Sequence, residues 1–279
     1  MLTEEKILEL EKKANDIRIS IIEMLMEAKS GHTAGSLGMV DIFTLFYFYI
    51  LKQNPKNPAW EERDRVVLSN GHICPVLYAT MAHAGYFPVE ELKTLRKFGA
   101  RLQGHPHREY LPYVDTSSGP LGSGLSQAVG MAIADKIDGK DKSRFIYCFI
   151  SDGELDEGNT WEAVMLAGKY KLRNLIAVVD RNNIQIEGFT EDVMPLEPLH
   201  SKWKSFNWHI IEVSGHNLQS LNEVVEEAQV NKGKPTVIIA HTIPGKGVKE
   251  FEKNYKWHGK APSKEEGEMA LRELRNFRF

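Results

Sequence analysis

Apolar residues follow two rhythms along this chain. Arg144-Phe145-Ile146-Tyr147-Cys148-Phe149-Ile150, Leu175-Ile176-Ala177-Val178-Val179 and Thr236-Val237-Ile238-Ile239-Ala240 are nearly unbroken apolar runs. Runs this short, apolar on successive residues, predict strands buried on both faces, as in a parallel sheet. His209-Ile210-Ile211-Glu212-Val213 predicts another strand and Val66-Val67-Leu68 a short one. Elsewhere the period lengthens to that of a helix. Asn159 to Tyr170 reads as amphipathic, and further helices are predicted near 4–28, 39–51, 75–84, 124–138 and 218–230. Phe98 to Gly122 is loop-rich, and Ser263-Lys264-Glu265-Glu266 has the spacing of a capping box that opens a terminal helix. Strands alternating with helices imply an α/β fold: a doubly wound, mostly parallel sheet with helices on both faces. The expected division is one domain over 1–260 and a peripheral helical tail over 261–279.

The unit from 144 to 183 has chemical content. Its first strand ends in Ser151-Asp152-Gly153 and its second in Asp180-Arg181-Asn182-Asn183. If the strands pair directly they lie about 5 Å apart, so the Asp152 carboxylate and the Asn182 amide converge just past their carboxyl ends. Hard oxygen ligands at that edge suit Mg²⁺ or Ca²⁺, with a phosphate completing the shell. Gly153 lets the backbone approach an anion, and the next helix aims its N-terminus, near Gly158 and Asn159, at the same place. A lone Asp-Gly after a strand is usually an ordinary turn. The Asn at the spacing of a whole crossover unit favours the metal–diphosphate reading.

Composition removes some alternatives. With 279 residues, 42% of them hydrophobic, the chain can build a substantial core. A net charge of −3 gives no electrostatic case for nucleic acid or an anionic membrane. The start, Met1-Leu2-Thr3-Glu4-Glu5-Lys6, does not read as a secretion signal, and no apolar run is long enough to span a bilayer. Two cysteines, Cys74 and Cys148, are too few for a disulfide framework and read as reduced thiols of a cytoplasmic protein. Gly122-Ser123-Gly124 before a helix is like a dinucleotide fingerprint, but position 127 is Gln and no strand leads into it. A nicotinamide-dependent dehydrogenase is therefore set aside. These glycines mark close backbone approach, to a cofactor ring or to a packed helix.

Four histidines stand in Gly-His steps: His32, His72, His105 and His216; His258 instead precedes Gly259. They are dispersed and lack close Cys/His pairing, so the pattern is not that of zinc. Dispersed histidines converging on one cleft fit proton transfer near neutral pH.

Taken in order, these motifs resemble the transketolases, a thiamine-diphosphate enzyme family. Asp152-Gly153 with Asn182 is similar to the family's cofactor signature, with Ser151 standing where Gly is usual. Ser30-Gly31-His32, Leu68-Ser69-Asn70-Gly71-His72, Gln103-Gly104-His105-Pro106 and Lys256-Trp257-His258-Gly259 resemble its histidine motifs, and Gly119-Pro120-Leu121-Gly122-Ser123-Gly124 its glycine loop. The resemblance implies transfer of a two-carbon ketol unit from a ketose phosphate to an aldose phosphate. It implies Asp152, Asn182 and the Ile184 carbonyl as metal ligands. It places His72, Gly119, Leu121, Asp152, Gly153, Glu157, Asn182 and His258 around the cofactor, and His32, His72, His105 and His258 in the catalytic cleft. His105 and His258 are best placed for substrate hydroxyls. His83, His107, His200, His209 and His241 have no matching role, and no function is assigned to His216.

After the last histidine motif only about twenty residues remain, too few for another domain. The chain thus resembles the diphosphate-binding half of a split transketolase. Its expected partner is a C-terminal, pyrimidine-binding subunit, in a heterotetramer of two chains of each kind, with Glu157 and the Gly119–Gly124 loop near the interface. Two other readings are an α-type subunit of another thiamine-diphosphate enzyme, such as a 2-oxo-acid dehydrogenase or deoxyxylulose-phosphate synthase, and a non-catalytic cofactor-binding subunit. The full series of Gly-His motifs disfavours the former and the set of proton-transfer groups the latter.

Overall fold

The computed structural model describes residues 2–231 and 233–279. A five-stranded, wholly parallel sheet runs through the centre in the order β1-β2-β3-β5-β4. Its strands are β1 (Arg65–Leu68), β2 (Ile146–Ser151), β3 (Leu175–Arg181), β4 (His209–Ser214) and β5 (Thr236–His241). The helices are α1 (Glu4–Ala28), α2 (Ala34–Gly38), α3 (Val40–Leu45), α4 (Cys74–His83), α5 (Ser123–Ile137), α6 (Gly158–Tyr170), α7 (Thr190–Val193), α8 (Leu199–Ser205), α9 (Leu218–Val230) and α10 (Lys264–Arg275).

The unbroken apolar runs have the expected cause: both faces of the sheet are covered. Tyr147 and Phe149 of β2, Ile176 and Val178 of β3, and Ile238 and Ala240 of β5 face one core with α1, α3, α4 and α9. The alternate residues, among them Cys148, Ile150, Ala177, Val179 and Val237, face a second core with α5, α6 and α8. Side chains alternate across a strand, so a strand sandwiched between helices must be apolar at every position.

Two elements depart from the sequence pattern. Where one helix is expected over 39–51, α3 runs into a π-helical turn over Phe46–Ile50, and the separate short α2 precedes it. A π-turn closes on i→i+5 and so takes in one residue more than an α-turn, which shifts the side chains after it around the axis. Here Phe43 and Phe46 both reach Phe149, with ring centroids at 4.7 and 5.1 Å. α8 has no strong apolar period, yet its Trp203 is fully buried against Trp208. α10 opens on the capping box formed by Ser263 and Glu266. Its Ala270, Leu271 and Leu274 join the core that contains α1, and Asn15 of α1 donates to the Leu274 carbonyl at 3.0 Å. Among the described residues no helix is long and apolar enough to cross a membrane.

A buried polar strut ties α1 and α3 to the loops after β4 and β5. Arg18 donates to Asp41 Oδ2 at 2.7 Å, and His216 Nδ1 lies 2.7 Å from the same oxygen. His216 Nε2 accepts from the Ile243 N–H at 2.7 Å. That bond requires a lone pair on Nε2, so the proton sits on Nδ1 and is donated to Asp41. The single functionally unassigned Gly-His histidine is therefore a strut. Replacing Asp41 with alanine strands the Arg18 guanidinium. An equilibrium urea titration should show a loss of about 3–5 kcal/mol, the cost of breaking a buried pair.

All strands point the same way, so their carboxyl ends share one edge. Ser69 to His72 follow β1, Asp152 follows β2, Asn182 follows β3 and Thr242 follows β5.

Candidate active site

β2 and β3 pair directly, with Ser151 opposite Asp180, so Asp152 and Asn182 do leave neighbouring strands at one edge. Both are buried. Asp152 Oδ2 accepts from the Asn183 N–H at 2.6 Å and from Arg181 at 3.2 Å, and Oδ1 from the Gly153 N–H at 2.8 Å. Asn183 delivers its N–H from a left-handed backbone, φ +64°, which Asn tolerates better than most residues. The Asn182 amide is oriented from behind: its Nδ2 donates to Asp180 Oδ2 at 2.8 Å, and Thr242 donates to the other oxygen of Asp180. Asn182 Oδ1 accepts from the Ile184 N–H at 3.0 Å and keeps a second lone pair. The Ile184 carbonyl accepts no backbone hydrogen bond among the described residues. Carboxylate, amide oxygen and carbonyl are hard-oxygen groups of the kind Mg²⁺ or Ca²⁺ takes. Burial pushes Asp152 up to about 6, against the Asn183 and Arg181 bonds that lower it. Burial and then the Asp152 charge push Asp180 up to about 7.

A second buried carboxylate ties the glycine loop to the sheet. Glu154 accepts from Ser69, from the Gly122 N–H and, at 3.2 Å, from the Ser151 N–H, and burial pushes it up to about 7. Gly122 has φ +79°, and a Cβ there would overlap the Asn159 side chain. A Cβ on Gly124 would overlap Ser69. Those two glycines thus serve close approach within the protein, whereas Gly119 faces open space.

Four loops bring the histidines together. Ring centroids are 4.9 Å apart for His32 and His72, 5.4 Å for His72 and His258, and 5.7 Å for His32 and His258. The His105 ring lies over Gly71, whose Cβ, if present, would be 3.3 Å from His105 Cδ2. Nδ1 of His32 and of His258 is buried without a hydrogen-bond partner among the described residues. Burial, with the neighbouring His258, Arg96 and His105, holds His32 down to about 4. His72 is held well below the usual imidazole range by burial and its histidine neighbours, His105 lower by burial and Arg96, and His258 lower by burial. All four rings are neutral near pH 7 and able to take a proton.

The depressed His32 gives a signed expectation. Its folded-state value, about 4, lies below its ordinary 6.5. Between those limits the unfolded chain binds a proton that the folded chain does not, so stability is lost as pH falls through the window. Asp152, Asp180 and Glu154 are shifted upward and contribute in the opposite sense. A difference measurement isolates the ring. Relative to His32→Gln, the wild-type chain should lose on the order of 2 kcal/mol between pH 7 and pH 4, in urea titrations at each pH.

Of the remaining residues expected at the site, Gly153 is half-buried against Gln185, Leu121 is half-buried and Glu157 is exposed at the start of α6. His83 pairs with Ser20, His209 with Glu227 and His241 with Glu212, away from the cluster. Sequence reasoning did not single out Asp180, Thr242, Ser69, Glu154 or Arg181. Strand burial masks Asp180 and Arg181, and the Glu154 contacts join residues 85 and 32 positions apart.

Residues 10–277 match the family model described as transketolase, thiamine diphosphate binding domain. The chain belongs to the transketolase family. It is 42% identical over 270 residues to a 6-deoxy-6-sulfo-D-fructose transketolase subunit of Clostridium sp. (strain MSTE9), covering 97% of this chain and 98% of that one. It is 41% identical to an apulose-4-phosphate transketolase subunit of Actinobacillus succinogenes, covering 96% of each. The transketolase structure from Leishmania mexicana superposes with a TM-score of 0.90 at 35% identity, over 95% of this chain and 41% of that one. The chain therefore spans about two fifths of that transketolase and nearly the whole of the relatives named as subunits. Its sheet and helices are the transketolase thiamine-diphosphate-binding fold. The cofactor fits the residues present: hard-oxygen groups suited to a metal follow β2 and β3, and unpartnered imidazole nitrogens lie in the cluster around His72, which follows β1.

Proposed function

We propose that this chain is the diphosphate-binding subunit of a two-chain transketolase that moves a two-carbon ketol unit from a ketose phosphate to an aldose phosphate. The observation that carries the reading is the convergence of His32, His72 and His258 at the sheet edge that holds Asp152 and Asn182. Thiamine diphosphate, when bound, supplies the nucleophilic carbon and the electron sink for carbon–carbon bond cleavage.

This chain's residues would do the rest. Asp152, Asn182 and the Ile184 carbonyl hold Mg²⁺ or Ca²⁺, which neutralises the diphosphate. Gly153 and the glycine loop at Gly119 and Leu121 give the cofactor close backbone approach, and Glu157 faces a neighbouring subunit. His72 and His258 sit against the cofactor. His105 and His258 exchange protons with the substrate hydroxyls, and His32 completes the cleft. Neutral imidazoles suit this traffic, since each can accept a proton from a donor hydroxyl and return it to the new alkoxide. The partner is a pyrimidine-binding chain, in a cytoplasmic heterotetramer with two-fold symmetry.

The test is co-expression with a pyrimidine-binding chain from the neighbouring reading frame, followed by ketol-transfer assays. Donors should include ordinary ketose phosphates and the substrates for which the relatives are named. Alone, the chain should show negligible transfer. Full activity from a preparation with a single polypeptide on a gel would overturn the two-chain reading.

A further inference from the structure

Arg96 lies outside the histidine, glycine and metal motifs, yet it touches two of the loops that build the histidine cluster. Its Nη1 donates to Ser30 Oγ at 3.1 Å and its Nη2 to the Gly104 carbonyl at 3.3 Å. Ser30 is two residues before His32, and Gly104 is one residue before His105. The guanidinium lies flat on the bare Cα of Gly104: a Cβ there would sit 2.8 Å from Cζ and 3.0 Å from Nε. A side chain at 104 would push the Arg96 guanidinium aside, whereas the backbone angles of Gly104 are not left-handed and do not themselves call for glycine.

Two further facts mark the residue. Arg96 has φ +59°, a left-handed backbone that costs a non-glycine residue of its size on the order of 1 kcal/mol. Its N–H to the Leu102 carbonyl, 2.9 Å, closes the 96–102 loop and fixes that conformation. Most arginines of this chain, such as Arg18, Arg63, Arg101, Arg144 and Arg181, pair with a carboxylate. Among the described residues Arg96 pairs with none, and both its bonds go to neutral oxygens. Arg96 is exposed, so water solvates its charge, and no carboxylate neutralises it beside His32 and His105.

We infer that Arg96 is a positioning residue for ketol transfer: its guanidinium fastens the His32 loop to the His105 loop and fixes the separation of the two rings. A forked, planar donor can hold a hydroxyl on one loop and a carbonyl on another at once, which an ammonium on a flexible stem does less well. The charge has a second effect. Beside two imidazoles it opposes their protonation, and it adds to burial in keeping both rings able to accept a proton. The other titratable groups acting on this pair of rings are His258 and His105, both on His32. Misplacing a catalytic group by about 1 Å can cost on the order of a hundredfold in rate, so the fastening has kinetic weight.

The inference rests on the transketolase reading, and the test keeps the two apart. Wild-type chain with its partner must first show ketol transfer; failure there counts against that reading and leaves the second measurement standing. In the complex, Arg96→Lys keeps the charge and loses the fork, whereas Arg96→Gln loses both. Gly104→Ala keeps Arg96 but pushes its guanidinium aside. All three should lower kcat by roughly 10- to 100-fold, with thiamine-diphosphate affinity and thermal midpoint close to wild type. In the chain alone, histidine titrations followed by NMR should move upward for His32 and His105 in Arg96→Gln and stay in place in Arg96→Lys. The inference is overturned if Gly104→Ala and Arg96→Lys keep kcat within twofold of wild type. It is also overturned if kcat falls only in step with cofactor affinity, or if the Arg96→Gln titrations do not move.

Discussion

Alanine at Asp152 is expected to abolish metal-dependent binding of thiamine diphosphate, with an affinity loss beyond about a hundredfold, while the chain stays folded. The carboxylate is the one formal negative charge in the donor set, and an amide and a carbonyl alone hold a divalent cation weakly. The fold should survive because Arg181 keeps other partners, Thr190 at 2.8 Å, Glu191 at 2.8 Å and Glu197 at 3.2 Å. Burial already pushes Asp152 up to about 6, so in the absence of a cation its removal also lifts a desolvation cost. Calorimetric titration of the chain and its partner with cofactor and Mg²⁺ reads the affinity, and circular dichroism the fold. Unchanged affinity would remove Asp152 from the metal site.

Nearly as large an effect is expected at two of the histidines. His105→Ala and His258→Ala should each lose turnover by roughly a hundred- to ten-thousand-fold, the range for acid–base groups. Cofactor affinity should separate them. His258 stacks on His72, 5.4 Å between centroids, and lies deep in the cluster, whereas His105 is exposed. Affinity should therefore hold in His105→Ala and fall in His258→Ala. Near-normal turnover in both variants would return these rings to a structural role.

Substrate range is the other consequence of the site's construction. In the proposed function this chain contributes the metal donors and the histidine cleft, while the relatives named as subunits act, by their names, on a sulfonated and a phosphorylated sugar. Both names specify an anionic group on the sugar. Comparing the two donor types on one enzyme separates recognition of the anion from recognition of the ketol carbons.

Part of the site was legible in the chain alone. The runs ending at Ser151 and Val179 announce strands buried on both faces, and parallel strands must deliver their carboxyl ends to one edge. Asp152 and Asn182 were readable as residues leaving neighbouring strands at one edge because local pattern and fold-level geometry fix their place together. The histidines were not readable by spacing. His32 and His258 stand 226 positions apart in the sequence, and only the ordered resemblance to a family joined them.

What the sequence determined by itself is what short-range periodicity encodes: the strands, most helices, the capped tail helix and the sheet edge that carries Asp152 and Asn182. Only the tertiary structure decided which polar groups meet across loops. It placed Asp180 and Thr242 behind Asn182, Glu154 under the glycine loop, Arg18 and His216 on Asp41, and Arg96 between Ser30 and Gly104. The physical reason is one of range. Burial of an apolar face depends on neighbours three or four residues away in a helix, or two in a strand, and leaves a repeating trace. A buried hydrogen bond needs one partner at one distance, supplied by whichever loop the fold brings near, and leaves no period in the chain.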